Sequence, residues 1–334
     1  MDIETLLKNT SRSLYLSVQA LPSSMRPAFG IAYLLCRYAD TISDTSIIPP
    51  ARRLYWTERF PQLLVEQSEA EITALASEIA GSSDNPYETA LIQNLRPCLQ
   101  LLNTISANQR TLIMDVVHAV CEGMKTDLTF FPHETSGEVK AFETEADLRR
   151  YCRLMGGEPG RFWSRLIYHP TPIACDEKTF CKLGQQVGDA LQIVNILRDL
   201  PKDLRLGRCY FPLTDLQDAG LQATDLLDSK NSTRFEPIKR KWIFWGLNNL
   251  QQGHAFYDLL PKTQPGQRAS VAWPILWTAD TFLKVFQETD LLNPAKRVKI
   301  SRQVIYRTML LTPAILLSNR LFHLWLNKKM NKFH

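Results

Sequence analysis

The sequence is poor in the features that mark strands and nucleotide-binding loops. Glycine supplies 14 of 334 residues, below the usual ~7%, and there is no glycine-rich phosphate loop or GxGxxG motif. No segment alternates convincingly between apolar and polar residues, and no Asn-Gly or Asp-Gly turn joins two such segments. These absences favour an all-α chain, long enough to enclose a cavity among its helices.

Signals for export, disulfides and membrane spanning are also absent. The seven cysteines are odd in number and form no CxxC pair, which indicates free thiols in a reducing compartment. The opening "MDIETLLKNTSRS" is polar and has no apolar core, unlike a signal peptide. No run of 18 apolar residues occurs, so we expect no spanning helix. Together these features predict a cytoplasmic location.

Acidic residues are missing after Asp290, although the chain as a whole carries only +5. From Lys296 onward there are nine Lys or Arg residues, so the rest is about four charges negative, +5 minus +9. We therefore predict a main domain over 1–290 and a basic, apolar segment over 291–334. The segment suits an interfacial anchor on anionic lipid at the inner membrane surface; the alternative is a helix packed on the domain.

Apolar residues repeat at three and four along most of the chain, as at Ile113, Val116, Val117, Val120 and Met124. The periodicity predicts successive helices at 23–42, 50–69, 71–81, 86–104, 108–128, 144–168, 177–199, 236–260, 268–288 and 296–311. "TEAD", beginning at Thr144, has the pattern of a capping box that starts the sixth helix. No basic stripe with interleaved aromatics is present, which argues against nucleic acid as a partner.

The first predicted helix carries a polar stripe. Tyr33, Arg37, Asp40 and Asp44 are spaced four, three and four, so they lie along one face, while the other faces are apolar. A single stripe of this kind has two interpretations. It is either a solvated surface in which Arg37 neutralises Asp40, or the wall of a binding site.

A second stripe favours the binding site. Gln192, Asn195, Asp199 and Asp203 are spaced three, four and four on another apolar helix, and Arg198 stands beside the acids. Pro201 predicts that this helix kinks or ends between the two aspartates.

Facing stripes would bring four carboxylates around one volume, where they would repel each other unless a cation intervened. Oxygen ligands favour Mg²⁺, which often bridges to substrate phosphates. Arginines would neutralise the remaining phosphate oxygens, and the apolar faces would hold a hydrocarbon tail. The combination predicts an isoprenyl diphosphate as the substrate.

Five ordered motifs resemble the squalene/phytoene synthase family, the head-to-head isoprenyl diphosphate synthases, over roughly residues 8–290. They are "TSRSLYLSVQALPSSMRPAF", "YLLCRYADTISDT", "EGMKTDL", "YCRLMGGEPGRFW" and "ALQIVNILRDLPKDLRLGRCYFP". The resemblance implies an isoprenoid synthase fold, a single helical domain around a central cavity. It also implies condensation of two prenyl diphosphates through a cyclopropyl diphosphate, with Mg²⁺ assisting diphosphate loss.

The resemblance also implies roles for individual residues. Asp40 and Asp44 match the first aspartate-rich motif and Asp199 and Asp203 the second, with Asn195 as a further metal ligand. The resemblance also implies that seven residues contact the diphosphate or the rest of the substrate: Arg12, Arg37, Arg198, Ser11, Ser13, Tyr33 and Gln192. Tyr151 matches a tyrosine that lies beside the reacting carbons in the family. The alternative interpretation is that its ring only packs in the core.

Several positions depart from the family pattern. Leu14 replaces a Phe usual after "SRS", and "MGGEPG" stands where "VAGxVG" is common. "VKISR" resembles a "VKIRK" stretch that contacts NADPH in squalene synthases, which makes Lys299 the candidate cofactor contact. With "DTISD", this favours NADPH-dependent conversion of two farnesyl diphosphates to squalene. Three alternatives stay open: phytoene or dehydrosqualene synthesis without reductant, a product that stops at presqualene diphosphate, and a non-catalytic lipid-binding relative.

Overall fold

A computed structural model describes residues 3–11, 13–80, 86–131 and 136–333, and these residues are mostly helical. The all-α prediction is confirmed. By its internal contacts the chain divides into two compact units. The first comprises Met1–Phe130 with Arg165–Ile167, and the second comprises Phe131–Ser164 with Tyr168–His334.

The first unit contains eight of the described helices. They are α1 (Ile3–Ser11), α2 (Ser13–Ala20), α3 (Arg26–Asp44), α4 (Pro50–Glu66), α5 (Glu69–Glu78), α6 (Pro86–Gln93), α7 (Leu95–Thr104) and α8 (Ala107–Phe130). α3 packs against α4 and α8, and the α4 and α8 helices also contact each other. Tyr38 of α3 stacks on Phe60 of α4 with ring centroids 5.4 Å apart. Both side chains are buried, so α3 is fixed firmly in the core of this unit.

The second unit is built around one long helix. Its elements are β1 (Lys140–Phe142), α9 (Glu145–Cys152), a π-helical turn (Arg153–Gly157), α10 (Glu158–Tyr168, of which Arg165–Ile167 group with the first unit), α11 (Glu177–Arg205), β2 (Arg208–Pro212), α12 (Leu213–Asp218), α13 (Ser232–Gln251), α14 (Gly253–Asp258), α15 (Pro265–Gln287), α16 (Arg302–Leu317) and α17 (Asn319–Met330). α11 packs against α13, α15 and the π-helical turn. It is therefore the central helix of this unit.

Several local predictions differ from the structure: the expected helix at 86–104 is divided into α6 and α7, and that at 236–260 into α13 and α14. β1 and β2 form a small parallel pair, which the periodicity missed because β2 is five residues long and buried throughout. The expected helix at 144–168 starts at its capping box on Thr144, but a π-helical turn interrupts it. α11 runs through Pro201 to Arg205, so the helix does not end between the two aspartates.

The C-terminal segment folds back onto the second unit. α16 and α17 both pack on α15, and Phe322 of α17 stacks on Tyr257 with ring centroids 3.9 Å apart. The indole of Trp273 donates to Thr312, and the hydroxyl of Tyr257 donates to the carbonyl of Ile315, each at 2.8 Å. None of the described helices is long and apolar enough to cross a bilayer.

Candidate functional site

The first polar stripe is the accessible line on an otherwise buried helix. From Ile31 to Asp44, α3 keeps exposure only at Cys36 and at the four stripe residues: Tyr33, Arg37, Asp40 and Asp44. The hydroxyl of Tyr33 donates to the carbonyl of Thr10 at 2.6 Å, which ties the end of α1 to the start of the stripe. The helical spacing read from the sequence therefore places these side chains together.

Arg37 forms an ion pair with Asp40, three residues on. Both side chains stay about a third exposed, at 34% and 31%. Asp44 is the last residue of α3 and is exposed. Arg53 of α4 is buried and donates to the carbonyl of Ser43 at 3.2 Å, so a cation that the motif search missed lies at this end of the helix.

The second stripe has the same organisation on α11. Gln192, Asn195, Asp199 and Asp203 all keep some exposure, whereas Val194 and Leu197 are buried. Arg198 donates to both carboxylate oxygens of Asp199, through Nε at 2.9 Å and Nη2 at 2.5 Å. The hydrogen bond to Asp199 raises the pKa of Arg198, and the charge of Asp203 contributes. Arg198 therefore pairs directly with Asp199 and feels the charge of Asp203 without contacting it.

Tyr151 lies in a cluster of four aromatic side chains. Its ring stacks on Tyr210 with centroids 4.6 Å apart, and the two hydroxyls are 3.3 Å apart. Phe142 contacts both tyrosines, and Phe131 packs against Phe142 and Tyr210. The β1–β2 pair sets Phe142 and Tyr210 beside Tyr151. Tyr210 was missed by motif reasoning, although "RCYFP" begins five residues after Asp203 in the sequence.

The π-helical turn after Tyr151 touches the backbone of α11. A Cβ added to Gly156 would overlap the Gly188 carbonyl and lie 2.7 Å from Gln192 Cβ. Arg153 reaches across to Asp189, with Nη2–Oδ2 at 2.6 Å and Nε–Oδ1 at 3.0 Å. Burial raises the pKa of Asp189, and Arg153 opposes that rise. This ion pair, also missed from the sequence, fixes the turn one helical turn before Gln192.

Among the other predicted contacts, Ser11 and Lys299 lie outside these clusters. The Ser11 hydroxyl is buried and donates to the carbonyl of Leu7 at 2.5 Å. Arg12 and the side chain of Ser13 lie outside the described residues. Lys299 is exposed in the non-helical segment before α16. Ser301, which replaces an arginine of the family pattern, caps α16 by accepting from Val304 N–H.

The donor set fits a hard divalent cation. Each stripe presents two carboxylates, and α11 adds the Asn195 amide, which are the oxygen ligands that Mg²⁺ takes. Within the described ranges, no three His, Cys, Asp or Glu side chains already converge into a metal site. Asp40 and Asp199 are each paired with an arginine.

Comparison with known proteins identifies the family. The sequence model of the squalene/phytoene synthase family matches residues 7–303, so the chain belongs to this family of prenyltransferase-type enzymes. Members of the family use Mg²⁺ to bind diphosphate.

Curated relatives and solved structures agree with this assignment. Bifunctional lycopene cyclase/phytoene synthases from Phaeosphaeria nodorum and Pyrenophora tritici-repentis are each 29% identical, over 75% and 76% of the chain. The chain spans 39% and 41% of their lengths.

Among solved structures, TcSQS with a bound ligand has a TM-score of 0.79 at 20% identity, covering 97% of this chain and 90% of the other. A dehydrosqualene synthase has a TM-score of 0.68 at 18% identity, covering 94% of this chain and 95% of the other. The squalene synthase HpnC from Alicyclobacillus acidocaldarius has a TM-score of 0.61 at 18% identity, covering 86% of this chain and 92% of the other. The isoprenoid synthase fold is thereby confirmed.

Proposed function

We propose that the protein condenses two farnesyl diphosphates head to head, through presqualene diphosphate, to squalene, with NADPH as reductant. The observation that carries the first half is the pair of accessible carboxylate stripes on α3 and α11, two helices that are otherwise largely buried over 31–44 and 187–200. A solvated surface stripe would have little reason to recur on the central helix of each unit. Two complete aspartate pairs also argue against a relative that only binds lipid.

The carboxylates and the Asn195 amide are the proposed metal ligands. Asp40, Asp44, Asn195, Asp199 and Asp203 would hold Mg²⁺, which neutralises charge on the departing diphosphate when bound. That the two stripes serve one diphosphate is a prediction from the sequence.

Arg37 and Arg198 each exchange a carboxylate partner for a diphosphate oxygen, which they can contact through two N–H groups. As the bond between C1 and the diphosphate oxygen breaks, the bonding electrons leave with the diphosphate. The double bond of the second substrate then attacks the allylic cation.

Tyr151 contributes through its ring and its hydroxyl. A tyrosine face attracts a cation at short range, and the packed rings of the cluster give Tyr151 apolar surroundings. The Tyr210 hydroxyl, 3.3 Å from that of Tyr151, orients the phenol. Cyclopropane closure releases one proton from the coupled carbons, and the released diphosphate is the nearest strong acceptor.

Phytoene or dehydrosqualene synthesis is the second candidate. It is supported by the curated relatives, whose names include phytoene synthase, and by the dehydrosqualene synthase among the structural neighbours. Lys299 on the exposed segment before α16 is the residue that bears on the choice, since it is the proposed contact for an NADPH phosphate.

Product analysis separates the candidates. Purified protein is incubated with Mg²⁺ and either farnesyl or geranylgeranyl diphosphate, with and without NADPH, and products are identified by mass spectrometry. We expect squalene from farnesyl diphosphate only when NADPH is present. Lys299→Ala should raise the KM for NADPH more than that for farnesyl diphosphate. An NADPH-independent profile overturns the reductive proposal, and preference for geranylgeranyl diphosphate supports phytoene; presqualene diphosphate as the end product, or no turnover, supports the remaining alternatives.

We further propose that the protein works in the cytoplasm, bound peripherally to the inner membrane surface through 291–334. Leu310, Leu317 and Tyr306 on α16 are 80%, 76% and 65% exposed, which is costly for a surface that meets only water. Liposome flotation tests this with Leu310→Glu/Leu317→Glu, which leaves the packed face of the tail intact. Val65→Glu is the control, because Val65 is 69% exposed on α4. Equal flotation of both variants would contradict the proposal.

A further inference from the structure

A groove lies among α15, α16 and α17, and none of the aspartate-stripe residues lines it. It has a volume of about 540 Å³, within the range of ~300–1,000 Å³ typical of small-molecule sites. Its apolar lining includes Leu311, Leu321, Leu324 and Trp325. Leu311, Leu321 and Leu324 are exposed, so the groove opens to solvent.

The walls of the groove are fixed by polar contacts behind them. Arg268 of α15 donates to Asn319 at the start of α17 at 2.6 Å. Near the other end of α17, Lys329 pairs with Asp280 of α15 at 2.5 Å. A groove held at both ends of one wall is largely preformed, so a ligand would not need to order it on binding.

The rim of the groove is strongly cationic. Arg307, Lys328, Lys329 and Lys332 all line it, and Asp280 is its one carboxylate, which leaves a net charge of +3. Within the described part of the chain only Lys329 among these cations makes an ion pair. Burial lowers the pKa of Lys329, and Arg307 and Lys332 lower it further. Lys329 is therefore repelled by Arg307 and Lys332, and a bound anion would relieve that repulsion.

An exposed apolar strip adjoins the groove. Tyr306, Leu310 and Leu317 lie within about 40° of one another around α16, given ~100° per residue, and Arg307, Leu311 and Ala314 follow on the neighbouring strip. Apolar surface thus continues from the groove wall onto the outer face of the helix. A soluble ligand would fill the groove and leave the outer strip wet, whereas a bilayer would cover both.

We infer that this groove is a site for one anionic phospholipid, with an acyl chain along Leu311 and Leu324 and the phosphate on Arg307, Lys328 and Lys332. The site deepens the proposed membrane association by naming the lipid class and the residues that select it. Its occupant carries a negative headgroup, and zwitterionic lipid is discriminated against because it gives the cations no net charge to neutralise.

The test uses short-chain lipid below its micellar concentration, so no bilayer is involved. Dihexanoyl phosphatidylglycerol is titrated into the full-length protein by calorimetry, alongside dihexanoyl phosphatidylcholine, inorganic phosphate and farnesyl diphosphate. Lys328→Gln/Lys332→Gln removes two rim charges. The matched control is Lys178→Gln/Lys182→Gln, two exposed lysines spaced four apart on α11. At roughly a factor of five per lysine, we expect at least about tenfold weaker phosphatidylglycerol binding in the first variant and less than about twofold change in the second.

Each other outcome is decisive. Equal affinity for phosphatidylcholine, or equal loss in both double variants, would overturn the inference. So would binding of farnesyl diphosphate that is lost in Lys328→Gln/Lys332→Gln, since the groove would then be a prenyl diphosphate site. Flotation that fails in Leu310→Glu/Leu317→Glu while soluble phosphatidylglycerol still binds separates the site from the membrane proposal. Soluble lipid that fails to bind while flotation persists would leave the membrane proposal standing without this site.

Discussion

One carboxylate of each stripe is paired with an arginine from the same helix. Arg37 holds Asp40, and Arg198 holds both oxygens of Asp199. Such pairs keep acids and bases charged and in place, but they contribute little stability at partly exposed positions. In the proposed function, each side chain exchanges its partner for a cation or a phosphate oxygen.

Replacing Asp40 or Asp199 by Asn should therefore spare the fold and remove activity. Each change removes one charge from the predicted Mg²⁺ ligands, and we expect at least a hundredfold loss of rate, about 2.7 kcal/mol of transition-state stabilisation. Turnover is measured at saturating Mg²⁺, with unfolding curves to confirm folding. Asp218→Asn on α12 is the control, because Asp218 is exposed. Near-normal rates in both stripe variants would rule out the metal role.

Tyr210 should matter for catalysis through Tyr151. Tyr210→Phe keeps the stacked ring and removes the hydroxyl 3.3 Å from that of Tyr151. We expect kcat to fall by roughly tenfold with KM little changed, the pattern for an interaction made mainly in the transition state. Tyr55→Phe, on an exposed side chain, is the comparison. An unchanged kcat, or a loss confined to KM, would show that Tyr210 only packs.

At the scale of elements, periodicity predicted the helices that carry the stripes and missed the π-helical turn and the β1–β2 pair that pack beside α11. α3, α8 and α11 were found because their buried faces repeat over 19, 24 and 29 residues. The π-helical turn depends on contacts between Gly156 and Gly188, 32 positions apart in sequence, which no local pattern encodes. Pro201 predicts a kink or an end of the helix, yet α11 continues past it to Arg205, because packing outweighs local propensity.

Backbone contact between the π-helical turn and α11 makes Gly188 intolerant of a side chain. Gly188→Ala would place Cβ against the Gly156 carbonyl, and overpacking of this kind costs about 1–3 kcal/mol. A gain of up to ~1 kcal/mol in helix propensity offsets only part of that. We expect a lower melting temperature, measured by calorimetry. Gly30→Ala on α3 is the control, since its Cβ would meet only the flexible end of Leu7 at 3.3 Å; equal behaviour of the two would argue against backbone contact.

Docking of α17 on α14 should weaken in mild acid. Burial and the nearby His323 lower the pKa of His254 from 6.5, and the rings lie 4.6 Å apart. Asp258 and Asn327 also face this pair. A histidine with a depressed folded pKa stabilises above its unfolded pKa, and that contribution is lost as the pH falls through the folded pKa. Stability should therefore fall below about pH 6.5.

Melting temperatures at about pH 7.5 and pH 5.5 measure this effect. His254→Gln cannot take up the proton, so it should show a smaller drop than the parent protein. His118→Gln, at an exposed position on α8, should keep the full drop. A drop in His254→Gln as large as that of the parent would place the pH sensitivity elsewhere.

At the scale of the whole molecule, composition predicted the class and left the tail's position open. The absence of acids after Asp290 identified 291–334 as different in charge, but charge alone does not show where a segment packs. The contacts of Phe322, Thr312 and Asn319 with α14 and α15 place the tail on the second unit. Those contacts are long-range, and each partner is an ordinary residue in its local sequence.

Uneven charge predicts salt-sensitive membrane binding. Exposed cations on an anionic bilayer are screened within ~10 Å at 0.1 M salt, whereas burial of leucines is not. Flotation on vesicles containing phosphatidylglycerol should fall steeply between about 50 and 500 mM salt, and the binding that remains should come from the apolar strip. Vesicles of pure phosphatidylcholine provide the control and should show little salt dependence. Binding that is independent of salt on both would contradict an electrostatic contribution from the tail.

The two aspartate pairs differ in the stiffness of the backbone beneath them. No proline separates Asp40 from Asp44, so every amide between them can join the helical ladder. Pro201 stands between Asp199 and Asp203 inside α11, and it has no N–H to offer the carbonyl four residues back. The α3 pair thus lies on an uninterrupted helix. The α11 pair spans the one backbone hydrogen bond that Pro201 removes from its helix. Ions of different radius should be accommodated by adjustment on the α11 side.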